Sequence, residues 1–473
     1  MNETPVEGDK GRPGNKKTVL FVTTLGAFLT PFMGSSITVA IPSIGKEFSS
    51  GAVLLGWVMT AYVLTTSVFL IPFGRLADIR GRKKIFTLGF IIFTLASSLP
   101  LFCHSIGMLI LIRVLQGIGG AMIFGNGVAI VSSVFPAGER GRALGINNAS
   151  VYLGLSTGPF LGGLLTQHLG WRSIFLAIVP LGLIIVASIF VKLKDEWTEA
   201  RGEKFDLSGS VIYGLALVVV IYGLTSLPGL YAIWLIVIGV GGMVAFVWWE
   251  GRTPAPILDP AIFKGNTVFA FSNIATLVNF SGTFAVLFLL SMYLQYIKGL
   301  RPQTAGLILV TLPAIQTLLS PVVGRLADRI NVQVLAAVGM GLTTAGLSLL
   351  LFLGRDTSLF FVLSALFMLG LGFTFFFAAN MLAVMGSVEK KHYGVASATV
   401  VTMRQIGMTL SMAITTLISA LYIGGAQVTP ETSGLFIISL RTSYGVFAVL
   451  SFCAIFASLA GVKKRARNPQ ISL

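Results

Sequence analysis

Ionisable side chains are scarce in this chain of 473 residues: charged residues make up only 11% of it. All 17 Asp and Glu fall in loops or at the ends of apolar runs, so no carboxylate lies deep within a run to neutralise a cation or carry a proton there. The three histidines, His104, His168 and His392, sit at run edges, which argues against an imidazole relay. The two cysteines, Cys103 and Cys453, lie within or at the end of apolar runs, where we expect buried thiols rather than a disulfide or metal pair. No cluster of His, Asp or Cys could form an enzyme's active site or hold a metal, and we expect no cofactor. The only Gly-Lys pair, Gly45-Lys46, has Ala40 where a phosphate-binding loop needs glycine and Glu47 where it needs a hydroxyl, which excludes an ATP-driven pump of that kind.

Apolar residues are abundant instead, at 55% of the chain with a mean hydropathy of +0.89. Such a chain has too little polar surface to cover a soluble globule and many runs of the length that crosses a bilayer. Loop charges and glycine or proline breaks divide it into fourteen spans. Six occupy 18–41, 54–73, 85–102, 107–133, 142–167 and 172–193, and two more 206–225 and 230–250. The last six occupy 267–291, 303–322, 333–353, 359–384, 396–423 and 439–461. The expected fold is therefore an all-α polytopic membrane protein. Residues 1–17 are polar and the first run lacks a small-residue cleavage site, so we expect an uncleaved first helix.

A formal net charge of +16 could suggest nucleic acid, but the cations are not gathered on one face or in one domain. With both termini on one side, that side's segments hold 25 of the 33 Lys and Arg, the opposite loops hold 6, and two are embedded in spans. This bias predicts cytoplasmic termini in a plasma membrane, with the lipid bilayer rather than nucleic acid as the basic residues' partner.

The pentapeptide Gly-Arg-Leu-Ala-Asp occurs at 74–78 and again at 324–328. A match that includes an Arg and an Asp is costly in a chain so poor in charge. Gly117, Gly119, Gly141, Ala143 and Gly154 recur 253 residues later as Gly370, Gly372, Gly394, Ala396 and Gly407. Two half-chains thus share one plan, a mark of secondary transporters. The offset exceeds the length of the first six spans, and residues 194–266 supply the excess as two extra helices. The expected organisation is a tail (1–17), a six-helix bundle (18–193), a linker with two helices (194–266), a second six-helix bundle related by a pseudo-two-fold axis (267–461) and a second tail (462–473).

The first pentapeptide continues as Gly74-Arg75-Leu76-Ala77-Asp78-Ile79-Arg80-Gly81-Arg82-Lys83-Lys84. Asp78 stands alone among cations, and a carboxylate there can latch to an Arg or a helix N-terminus in one conformation and release it in another. The second copy keeps Gly324 and Asp328 but continues Arg329-Ile330-Asn331, so its latch should be weaker.

The extended loop resembles the signature between the second and third helices of the major facilitator superfamily. Leu111-Ile112-Arg113-Val114-Leu115-Gln116-Gly117-Ile118-Gly119-Gly120 resembles that superfamily's fourth-helix motif. Gly154-Leu155-Ser156-Thr157-Gly158-Pro159-Phe160-Leu161-Gly162-Gly163 resembles the fifth-helix motif of its exporters, and Trp171-Arg172-Ser173-Ile174-Phe175 with Pro180 is similar to the fourteen-helix drug:proton antiporter group. The resemblance implies a multidrug-efflux type of antiporter, acting as a monomer on a small molecule in exchange for protons.

The residues support these motifs physically. Arg113 lies inside an apolar helix, where a charge costs about 2.5–3.5 kcal/mol by insertion scales, so it should face a polar cavity or a partner. Its bland alternative is satisfaction by carbonyls and Gln116. Arg404, followed by Gln405, is the second embedded cation. Gly154, Gly158 and Gly162 make a smooth stripe for close helix packing, and Pro159 bends the helix beside Gly163. One position departs from the family: Met33, in Phe32-Met33-Gly34-Ser35-Ser36-Ile37-Thr38-Val39-Ala40-Ile41-Pro42, stands where many of the fourteen-helix group carry an acid. A cavity with Arg113, Arg404 and no buried acid should favour neutral or anionic amphiphiles over cations. The alternative is a facilitator or importer of the same fold without proton antiport.

Overall fold

The computed structural model describes residues 13–258, 260–263, 265–327, 329–389 and 393–460. Asp328 and His392, singled out above, lie outside the described residues. Within hydrocarbon every backbone group needs a partner from its own segment, and the apolar runs accordingly form helices. The first six are α1 (Pro13–Glu47), α2 (Ala52–Arg80), α3 (Arg82–Ser98), α4 (Ile106–Val134), α5 (Ala137–Leu169) and α6 (Arg172–Lys192). Two linking helices follow, α7 (Leu207–Thr225) and α8 (Leu230–Glu250). The second half comprises α9 (Thr267–Thr283), α10 (Val286–Met292), α11 (Pro302–Leu309), α12 (Thr311–Ala327), α13 (Val332–Leu350), α14 (Leu359–Gly386), α15 (Tyr393–Tyr422) and α16 (Ser433–Ala460).

Among the described residues, thirteen segments are long and apolar enough to cross a membrane, counting α9 with α10 and α11 with α12 as one crossing each. The fourteenth is α5, which is rich in glycine and polar residues but at 33 residues spans about 50 Å along its axis and packs against α1. The chain is thus an all-α polytopic membrane protein of two six-helix bundles and two linking helices. Two crossings are interrupted where the sequence showed continuous runs. The α9–α10 break exposes the Ala285 N–H, which donates to Ser411 Oγ of α15 at 3.1 Å.

The sequence repeat reappears as repeated helix crossings. A Cβ on Gly117 would come within 2.8 Å of the Tyr62 carbonyl, and one on Gly370 within 3.0 Å of the Leu312 carbonyl, 250 residues beyond Tyr62. Gly119 faces the Gly89 carbonyl and Phe93 amide as Gly372 faces those of Gly339 and Thr343. Gly154 faces the Phe28 carbonyl and Phe32 amide, and Gly407 those of Leu277 and Ser281. Backbones that approach this closely leave no room for a side chain, so the duplicated glycines mark duplicated contacts.

The two linking helices lie at the periphery. Outward-facing α8 residues such as Trp234, Ile238 and Val244 are more than 60% exposed, as a lipid-facing surface requires. α7 packs against both α2 and α15, so it bridges the halves along one side. Of the two cysteines, Cys103 is buried as expected, and burial pushes its thiol pKa up. Cys453 instead lies exposed on the outer face of α16, a correction to the expected buried thiol: its helix turns that face to lipid.

Candidate functional site

The end of α2 and the start of α3 meet at Gly81, whose φ of +119° and close neighbour demand glycine: a Cβ would sit 2.5 Å from the Glu196 carboxyl carbon. Asp78 and Arg82, one helical turn apart, pair at 2.8 Å. Arg82 is only 6% exposed and uses its remaining donors on Ser133 Oγ at 2.7 Å and both Glu199 oxygens at 2.7 and 2.6 Å. The chain between α6 and α7 is therefore strapped over this loop. The Asp78 carbonyl accepts from the Glu199 and Ala200 amides, Arg82 N–H donates to the Trp197 carbonyl, Lys83 N–H to Glu196 Oε1, and Arg75 to Glu203. Sequence reasoning found the loop and missed the strap, although its signal was present as acids at 196, 199 and 203 facing a run of cations. Gly74, by contrast, has open space where a Cβ would stand.

Arg113 is fully buried among α2, α3 and α4. Its Nε donates to the Val58 carbonyl at 3.2 Å and its Nη1 to Gln116 Oε1 at 2.8 Å, while the guanidinium lies 4.2 Å from the Tyr62 ring centroid. Gln116 passes the chain on by donating to Ser97 Oγ at 2.8 Å. Two donors are left over: Arg113 Nη2 and the Tyr62 hydroxyl are buried without partners. The cation is thus held by a carbonyl and Gln116, with part of its hydrogen-bonding capacity unused.

Arg404 occupies a different place. It stands on α15 with its guanidinium carbon 5.9 Å from the Phe280 ring of α9 and couples electrostatically to Tyr152 of α5, so it looks across from one half to the other. Its Nε is buried without a partner. The structure therefore separates the two embedded cations, Arg113 inside the first half and Arg404 between the halves.

The α5 motif divides between two faces. Gly154, Gly158 and Gly162 pack on α1 against Phe28, Ser35 and Ser36, with Ser36 Oγ donating to the Gly158 carbonyl at 3.0 Å. Pro159 and Gly163 face the other half, where the Pro159 carbonyl abuts Gly306 and Gly163 abuts Pro302 and Gln303. Met33 is fully buried, so no solvated space surrounds the position where relatives of the antiporter group carry an acid.

Among the described residues, hydrogen bonds between the halves run from mid-height to the side opposite the N-terminal end of α1. Gln295 Nε2 donates to the Val39 carbonyl at 2.9 Å, the Tyr296 hydroxyl to the Pro42 carbonyl at 3.1 Å, and the Gln303 amide to Gln167 Oε1 at 3.4 Å. Gly51 lies directly against the Gly425 carbonyl. The far side is sealed.

A family model described as Major Facilitator Superfamily matches residues 23–247 and 272–472. The chain belongs to the major facilitator superfamily. It is 28% identical to the riboflavin transporter RibZ of Clostridioides difficile, over 95% of this chain and 98% of that one. It is also 28% identical to the tetracenomycin C resistance and export protein of Streptomyces glaucescens, over 89% and 78% of the two chains. Its backbone resembles an inward-facing, occupied structure of a bacterial homologue of the human lysosomal transporter Spinster, with a TM-score of 0.67, 17% identity and coverage of 97% of this chain and 100% of that one. Membership of this superfamily makes the chain a secondary transporter of a small molecule.

Proposed function

We propose that this transporter exports neutral or anionic amphiphiles across the plasma membrane by alternating access, in exchange for protons. The observation that carries the substrate class is Arg404: an embedded cation between the halves, beside an aromatic ring, with a buried donor unmet and no carboxylate opposite it among the described residues. An anionic or carbonyl group of a ligand would complete that donor, whereas a lipophilic cation would be repelled. Export is supported by the fifth-helix motif on α5 and by a relative whose printed role is export. With both termini cytoplasmic, as the distribution of Lys and Arg favours, the sealed far side is extracellular and the conformation is open inward.

We assign proton coupling to Arg113 and Asp78: Arg113 is fully buried against Gln116 and Tyr62 with its Nη2 unpaired, and Asp78 is held by Arg82. The full group assignment within the superfamily, the fourteen-helix drug:proton antiporters, belongs to this proposal. A thermal-shift panel on the purified protein tests the substrate class, with organic anions, neutral polycyclic aromatics and quaternary ammonium dyes as probes. We expect stabilisation by the first two, lost in Arg404→Ala. Stabilisation by the ammonium dyes alone would overturn the reading.

A further inference from the structure

Two hydroxyl pairs join the halves at mid-height. Ser67 Oγ of α2 lies 2.9 Å from Thr409 Oγ1 of α15, and Ser156 Oγ of α5 lies 3.0 Å from Thr317 Oγ1 of α12. The repeat relates them. Thr317 follows Ser67 by 250 residues, the offset that relates Tyr62 to Leu312 and Gly89 to Gly339 in the duplicated crossings; Thr409 follows Ser156 by 253, the offset of Gly117 to Gly370 and Gly154 to Gly407. One contact has thus been built twice by the duplication, across the line where the two halves meet.

The same relation extends toward the sealed side. Gly56 of α2 packs on Thr416 Oγ1 of α15, and Gly306 of α11 packs on Pro159 and Gly163 of α5. Gly306 follows Gly56 by 250 residues and Thr416 follows Gly163 by 253. Each seam is therefore a row with close glycine contact toward the far side and a hydroxyl pair as its innermost member. Ser67 stands 11 residues further along its chain from the far side than Gly56 does, about 16 Å along the helix.

We propose that Ser67–Thr409 and Thr317–Ser156 are the two halves of one pseudo-symmetric clasp, which stabilises the conformation closed on the far side and releases when that side opens. The chemistry suits repeated release. Ser67 Oγ is also 2.8 Å from the Val63 carbonyl, Thr409 Oγ1 2.9 Å from that of Gln405 and Thr317 Oγ1 2.8 Å from that of Pro313. A hydroxyl has one proton, so in the Ser67–Thr409 pair one partner donates across the seam and the other to its own helix. When the halves part, the cross-seam donor of that pair turns back to the carbonyl four residues earlier, and neither of its two hydroxyls is orphaned. Glycine contacts behind the hydroxyls lose only dispersion and hydrocarbon packing on opening. The linking helices break the symmetry on one side alone: the Tyr213 hydroxyl of α7 donates to the Ser67 carbonyl at 3.0 Å, which fixes the α2 side of one clasp. Leu153 and Leu318, exposed beside the other pair, leave that seam facing lipid.

The proposal rests on the alternating-access reading, and the test separates the two. In full-length protein with Cys103→Ser and Cys453→Ser, spin labels at Lys46→Cys and Gln427→Cys report the far-side distance, since both positions are exposed and flank the Gly51–Gly425 contact. Ser67→Ala with Thr317→Ala removes one hydroxyl from each pair and is expected to raise the ratio of wide to narrow distances about fivefold, the scale of one or two weak hydrogen bonds. Thr409→Val with Ser156→Ala removes the opposite hydroxyls and should reproduce that shift, and combining all four should add little to either double variant. Ser67→Thr with Thr317→Ser keeps both hydroxyls and should keep the parent ratio. A wide population insensitive to every hydroxyl variant overturns the clasp while leaving alternating access standing. Absence of a wide population in parent and variants alike overturns both.

Discussion

At Gly81 a single missing Cβ lets an acidic strap close over the loop that joins α2 to α3. Its φ of +119° lies in a region that only glycine occupies cheaply, and the Glu196 carboxylate fills the space a side chain would take. Gly81→Ala is therefore expected to cost about 1–3 kcal/mol of local stability, read as faster hydrogen exchange at the Glu199 and Ala200 amides, whose bonds to the Asp78 carbonyl hold the strap. Unchanged exchange there would mean that the strap is held elsewhere. Arg113 makes a second residue-level case. It is enclosed by Val58, Gln116 and Tyr62, and a lysine could keep the charge and one donor where alanine keeps neither. In uptake by everted vesicles we expect Arg113→Ala to abolish transport and Arg113→Lys to retain a fraction; equal full activity of both would remove Arg113 from the mechanism. The sequence alone showed that both embedded cations must be accounted for, because a charge in hydrocarbon is costly wherever it points. It could not show that Arg113 turns inward and Arg404 across the seam, since that depends on how the helices rotate about their axes, and the apolar surroundings of both look alike in one dimension.

At the scale of elements, α1 and α5 pack through a stripe that has been emptied of side chains. A Cβ on Gly154 would approach the Phe28 carbonyl to 2.4 Å, and backbone cannot swing aside as a side chain can. Gly34, in the interior of α1, has open space instead. The two substitutions should then act with opposite signs. Gly34→Ala gains about 0.5–1 kcal/mol from helix propensity, while Gly154→Ala loses about 1–3 kcal/mol to overpacking, both readable as shifts in thermal unfolding midpoint in detergent. Equal shifts would show that the stripe is not tightly packed. The elements themselves were largely legible: long apolar runs leave the backbone no alternative to helix, and the spacing of Gly154, Gly158 and Gly162 announced a packing face. The interruptions at α9–α10 and α11–α12 were not, because the Ala285 amide is satisfied by Ser411 from a helix more than 100 residues away in sequence. The strap was hidden for the same reason, its acids being matched to cations of another loop.

For the whole molecule, duplication decides the architecture and its imperfections carry the function. The helix crossings repeat, yet Arg113 and Arg404 stand in different halves at positions whose repeat mates are Leu366 and Val151, so the polar features to which we assign substrate class and coupling are not duplicated. The linking helices add a further asymmetry by covering one seam. The offsets of 250 and 253 residues between the repeated motifs pointed to the halves and the insertion, and the crossings at Gly117 and Gly370 recur at the second of them. Which ends of the halves touch was beyond the sequence, since one sequence serves every state of the cycle and the structure shows the one closed at Gly51 and Gly425. Counterflow in reconstituted vesicles with an imposed pH gradient distinguishes the proposed proton-coupled export from its rivals, with riboflavin, an organic anion and a quaternary ammonium dye as probes. We predict movement of a neutral or anionic probe that is accelerated by the gradient and abolished in Arg404→Ala; equilibration of the same probe at a rate blind to the gradient would contradict antiport and leave a facilitator.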